Sequence, residues 1–321
     1  ALITIGLGGA SASTIQYGQV AGTVVAGNFD VAPTFNTGSG GHSILYLQES
    51  SARTTGVEIP GSRTIQNLTV NNTNGVSVSG GNFTLNGTLT LTAGLLNTNS
   101  SNIPTVGGTL TTNIVGGSAT TYVNGPLART LPANLASGST YTFPVGKSGF
   151  NAFELVNPTT NAGGTVVVTA EAFDGSTGGT AGTLMGSISS TRYWAALITS
   201  GTVNFTNTRL RLNDTRGTQD GIANNATTLT GAYDHIGGPV STLAAGSITT
   251  TAPELTGIAG YYLMGNLSGP TVGIPAISPT GNLCTNAART VTVTVTPGGG
   301  ALTSVTLSYQ VNGGSATNVS M

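Results

Sequence analysis

Leu68, Leu89 and Leu110 are spaced 21 residues apart, and each sits in a similar phrase: NLTVNN from Asn67, GTLTLTAG from Gly87 and GTLTTNIVGG from Gly108. A fixed return of this length limits the fold more than any other feature of the chain. It is the mark of a β-solenoid, in which each turn buries its apolar side chains inward and needs a neighbouring turn to cover its edge. Within the phrases Leu and Val alternate with Thr, the period-two pattern of a strand with one buried face. Short strands at Val76-Ser77-Val78 and Phe83-Thr84-Leu85 lie between them, separated by Asn-Gly and Gly-Gly turns. We therefore expect stacked parallel strands over residues 61–117, with Leu68, Leu89 and Leu110 in one inward column. An antiparallel meander is the alternative that three repeats leave open.

The rest of the 321-residue chain is also strand-forming. Gly, Thr, Ser and Asn dominate, and only 6% of residues are charged, against roughly 25% in ordinary soluble proteins. Such a composition would suit disorder. However, 38% of residues are apolar, mean hydropathy is +0.17, and the apolar residues alternate with β-branched Thr, which favours strands. The expected class is all-β: a short N-terminal parallel β-solenoid, then a β-sandwich, then a partial immunoglobulin-like domain. Residues 1–60 read as an N-terminal β region or cap. Residues 118–268 hold spaced strands such as GTVVVTAEAF, RYWAALI and GYYLMGNL, which suit a jelly-roll or immunoglobulin-like sandwich. Trp194 lies in one of them and is expected in the core. Residues 269–321 open on a Pro/Gly linker and continue with RTVTVTV and SVTLSYQVNGG. An immunoglobulin-like domain takes about 100 residues, so this stretch reads as the first part of one.

The charge pattern excludes several functions. Nine Lys and Arg against ten Asp and Glu give a net charge of −1, which is no footprint for nucleic acid. No apolar run is long enough to span a membrane as a helix. Cys284 is the single cysteine, so no internal disulfide forms. Lys147, in YTFPVGKSGF, follows Gly146 and precedes Ser148, as at the end of a phosphate-binding loop. Tyr141 stands where that loop needs Gly, and no helical pattern follows, so the segment reads as a structural turn.

Catalytic and metal chemistry find little support. Histidine occurs only at His42 and His235, with no metal-ligand spacing and no nucleophile elbow. Residues 61–117 carry no Asp, Glu or Lys, and Arg63 is their one charge. A glycosidase needs two carboxylates across a bond, so no enzyme is expected there. Glu154, Glu171 and Asp174 lie beyond the solenoid and cannot be paired from sequence. The one loop with hard-cation ligands is RLNDTRGTQDG, where Asn213, Asp214 and Asp220 are calcium candidates. It lacks EF-hand spacing and contains Arg216, so a solvated loop is the plainer reading. Otherwise no cofactor is expected. Aromatic residues are only 6% of the chain and mark no sugar-binding platform.

The order of segments carries a resemblance. NLTVNN…GTLTLTAGLL is followed by YVNGPLAR, YTFPVGKSG, RYWAAL, TRLRLND and GYYLMGNL, and then by AISPTGNLCTNAARTVTVTVTPGG. Over residues 60–321 this resembles the large secreted surface proteins of the Bacteroidota, including gliding-motility adhesins and other type IX secretion substrates. The resemblance implies an extracellular or cell-surface location, with a signal peptide removed before Ala1 and type IX machinery as the partner during export. It also implies a structural or adhesive segment within a longer chain, touching glycan surfaces or other copies of itself. Two alternatives stand beside it: the non-catalytic part of a secreted carbohydrate-active enzyme, or secretion cargo bound to its translocon.

Overall fold

A computed structural model describes residues 4–5, 13–17, 34–35, 41–47, 51–215, 217–238, 241–252, 254–273, 276–278, 290–296, 298–299, 304–309 and 315–320. Cys284, Arg216 and much of the expected N-terminal cap lie outside the described residues. The protein is nearly all β, with a solenoid of about four turns in its N-terminal part and further sheets after it.

The solenoid has three faces of stacked parallel strands. One face runs through His42–Tyr46, Leu68–Asn71, Leu89–Ala93 and Ile114–Gly116, with Ser13–Tyr17 paired before it. A second runs through Arg53–Thr54, Val76–Ser77, Leu96–Asn97, Val123–Asn124 and Val145–Gly146. The third runs through Thr64–Ile65, Phe83–Leu85, Pro104–Val106 and Leu127–Leu131. The meander alternative is therefore wrong. Ile44, Leu68 and Leu89 stack in register and are buried. So are Val76, Leu96, Val123 and Val145 on the second face. These columns are the physical content of the alternation seen in the sequence.

Leu110 does not join its expected column. Its side chain is 65% exposed, and the residue in register with Leu89 is Ile114. The turn lengthens here because Thr111–Asn113 form a 3₁₀ helix before the strand begins. The Asn113 side chain accepts the Leu110 N–H at 2.7 Å and holds that corner. The 21-residue spacing thus survives in sequence after register has moved on, and register alone decides which face a side chain joins.

Asparagine closes the corners between turns. Asn67 Oδ1 accepts the Thr88 N–H, Asn82 Oδ1 accepts that of Ile103, and Asn102 Oδ1 accepts that of Gly81, each 21 residues away in the chain. A solenoid corner leaves backbone donors outside the ladders, and these side chains satisfy them. That is why a chain so poor in charge is rich in Asn. Close stacking at the corners also needs Gly. Gly94 has φ +75°, and a Cβ there would lie 1.8 Å from the Asn72 carbonyl oxygen.

The third face runs directly into the sandwich. Leu127–Leu131 ends the parallel stack on one side and pairs antiparallel with Val166–Asp174 on the other. Arg192–Ser200, Tyr261–Leu267, Gly221–Asn225, Ala232–His235 and Thr180–Ala181 follow in order, so one 11-stranded sheet belongs to both parts. The facing sheet orders Thr140–Phe143, Phe153–Thr160, Phe205–Asn213, Ser247–Thr249 and Thr242–Ala244. Between them Trp194 is fully buried, as expected, and donates its Nε1–H to the Asn151 carbonyl at 2.8 Å. One continuous apolar cluster reaches from Ile15 in the solenoid to Met264 in the sandwich.

The segment around Lys147 is a turn. Val145–Gly146 is the last strand of its solenoid face. The Lys147 N–H meets the Gly149 carbonyl at 3.2 Å, and the Tyr122 hydroxyl donates to the Lys147 carbonyl at 2.8 Å. Beyond Gly269, the described strands form three two-stranded sheets. Thr290–Thr292 pairs with Ala276–Ser278, and Val295–Thr296 with Thr271–Val272. Thr306–Tyr309 pairs with Thr317–Ser320. The RTVTVTV and SVTLSYQ stretches thus fall in separate small sheets.

Candidate functional site

The three calcium candidates send their side chains to different partners. Asn213 donates to the Ala152 carbonyl and to Glu154. Asp214 accepts from Asn151 and pairs with Arg192 at 3.2 Å. Asp220 accepts the Leu267 N–H at 2.7 Å. Among the described residues, no group of three His, Cys, Asp or Glu is placed to hold a metal.

Asp214 lies instead in a polar cleft of about 510 Å³, bordered by Ser148, Gly149, Asn151, Arg192 and Gly246. Arg192 is the cation among its lining residues, and it also pairs with Asp174. The two carboxylates occupy this guanidinium, so it is not free to hold a phosphate beside the Gly-Lys-Ser turn. Glu154 is likewise taken up in structure. It accepts from the Thr142 hydroxyl at 2.7 Å and from Arg211 at 2.9 Å. The His235 ring lies between the carbonyls of Ile222 and Gly238. His42 is buried against Phe35, and burial lowers its pKa.

A second depression has a different character. It is a groove of about 380 Å³ on the outer face of the 11-stranded sheet. Its floor follows from strand alternation. Along Val166–Asp174 the residues Val166, Val168, Ala170 and Ala172 point into the core, so Thr169, Glu171 and Phe173 take the other face. Along Arg192–Ser200, Trp194, Ala196 and Ile198 point inward, which turns Tyr193, Ala195 and Leu197 outward. Pairing places Glu171 beside Ala195, Ala195 beside Tyr261, and Phe173 beside Tyr193. Ile103 and Pro126 at the solenoid corners form one wall, and Thr227 lies on the other side.

Three rings run in a row from this groove. Phe173 and Tyr193 stack with centroids 4.8 Å apart and planes 6° from parallel. Tyr193 meets Tyr261 edge to face at 6.3 Å. Below them Met185, Ala223, Tyr233 and Leu263 form a second small apolar cluster, against which Tyr193 and Tyr261 pack. The rings are thus held on a rigid base. Glu171 is half-buried, and desolvation pushes its carboxyl pKa up. Burial, with the neighbouring Tyr261 and Glu171, also pushes the Tyr193 phenol up. The sequence reading missed this platform because the rings are separated by as many as 88 residues. The available signal was the alternation in AEAFD and RYWAAL, which assigns Glu, Phe and Tyr to the face opposite Trp194.

No family model, no curated protein and no solved structure matches the chain.

Proposed function

We propose that this chain is an extracellular structural and adhesive segment of a large bacterial surface or filament protein exported by type IX secretion. The observation that carries the reading is the shared sheet and core. Solenoid and sandwich have no soft joint between them, which suits a stiff element that bears load or holds a binding face away from the cell. The segment order described above, similar to that of Bacteroidota surface proteins, supports the export route.

The state of the carboxylates supports a non-enzymatic role. Glu58 accepts from the Tyr46 hydroxyl and the Gly56 N–H. Glu154, Asp174 and Asp214 are each paired with arginine. Held in this way, none of these is free to serve as the acid or base that glycoside hydrolysis requires. Antibodies raised against the chain test the reading on intact cells that make it. Surface labelling is expected in cells with working type IX machinery and is lost when that machinery is disabled. Labelling that persists without it, or protein retained inside in both cases, would sink the proposal.

A further inference from the structure

We infer that the groove between Glu171 and Tyr261 is a binding site for an uncharged polysaccharide; this deepens the adhesive reading given above and rests on it. In cross-strand register, Ala195 lies between Glu171 and Tyr261. Its small side chain leaves the hollow that a bulkier residue would fill. On one side stands a carboxylate, on the other an aromatic ring, with the Thr169 hydroxyl alongside.

This arrangement matches a pyranose. A sugar ring has an apolar C–H face, which suits an aromatic side chain, and a rim of hydroxyl donors, which suits a carboxylate. The volume of about 380 Å³ falls in the roughly 300–1,000 Å³ range of small-ligand sites. Among the described residues, no hydrogen bond from the protein occupies the Glu171 carboxylate, and no Lys or Arg lines the groove. Lys147, outside the lining, offsets the Glu171 charge only in part, since burial still holds that carboxyl's pKa up, so sulfated sugars and uronates would meet a carboxylate with no cation in the groove itself. An apolar peptide would bury that carboxylate without a partner, at high cost. One carboxylate without a second among the lining residues suits binding rather than hydrolysis.

A half-buried acid with no hydrogen-bond partner among the described residues also works against the fold, since burial raises its pKa by more than the field of Lys147 lowers it. Its folded pKa lies above the unfolded value, so the charged form reduces stability as pH rises past the carboxylate range. Such a residue is a candidate for function rather than structure.

Calorimetric titration of the whole chain with cellohexaose, maltohexaose and mannohexaose tests the inference. At least one of these neutral hexasaccharides is expected to bind. Affinity falls about tenfold or more in Tyr261→Ala and in Ala195→Leu, the second of which fills the hollow without removing a contact. Glu171→Gln weakens binding while its melting midpoint stays level or rises, which a purely structural role would not produce. The inference is overturned if no neutral hexasaccharide binds, or if both groove variants bind as the parent does. Tighter binding of oligogalacturonate or of a lysine-rich peptide would overturn it too. Binding by a protein that fails to reach the cell surface would uphold the groove and reject the export reading. Shortened sugars recovered after titration would uphold the groove and reject the non-enzymatic role.

Discussion

Arg129 shows how this chain handles a charge it cannot expose. It is 1% exposed and has no carboxylate partner among the described residues. Its guanidinium donates to the carbonyls of Leu110, Thr111 and Thr142, and lies over the Tyr141 ring at 4.8 Å. A planar fork with five donors can reach carbonyls on separate segments; an ammonium cannot do so in the same geometry. The residue ties the last solenoid corner to the first strand of the facing sheet. Arg129→Met is expected to lower unfolding stability by about 2 kcal/mol, since three carbonyls on separate segments lose a charged donor. Burial lowers the arginine's pKa to about 10. The unfolded chain therefore holds this proton more tightly, and the parent gains stability as pH rises above about 10. Chemical denaturation of parent and variant across that window should show the gain in the parent and its absence in Arg129→Met.

At the scale of elements, register outranks the repeat. Leu89 and Leu110 look equivalent in the sequence, in GTLTLT and GTLTTN. Leu89 is fully buried between Leu68 and Ile114, whereas Leu110 rides a 3₁₀ corner in solvent. Leu89→Ala is expected to cost about 2–5 kcal/mol. Leu110→Ala is expected to stay within about 0.5 kcal/mol. Urea unfolding of the two variants decides the matter, and equal losses would mean that Leu110 is buried after all.

At the scale of the molecule, the shared sheet makes the solenoid and sandwich one thermodynamic body. A solenoid standing alone behaves as a sum of nearest-neighbour turns and can melt from an end. Here Leu127 and Leu131 are buried, and their strand is at once the last solenoid strand of its face and a sandwich strand. Scanning calorimetry is expected to show a single endotherm for residues 51–268, with solenoid and sandwich amides losing protection together. Two separated endotherms assigned to the two parts would refute the coupling.

The local physics of the sequence determined the all-β class, the solenoid and the burial of Trp194. Alternation of Leu and Val with Thr, Gly at corners and the 21-residue return each reflect a constraint on a single strand or turn. The turn at Lys147 was legible for the same reason, because Tyr141 and Pro144 exclude a phosphate loop. The tertiary structure alone decided the rest. Leu110 left its column because one helical corner shifted the register. Asp214 joined Arg192 rather than a metal loop because their partner strands meet at the cleft. Phe173, Tyr193 and Tyr261 became one row because three strands distant in sequence pair side by side. A sequence states which face of its own strand a residue takes. Which strand lies beside it depends on long-range pairing, and that is where the groove came from.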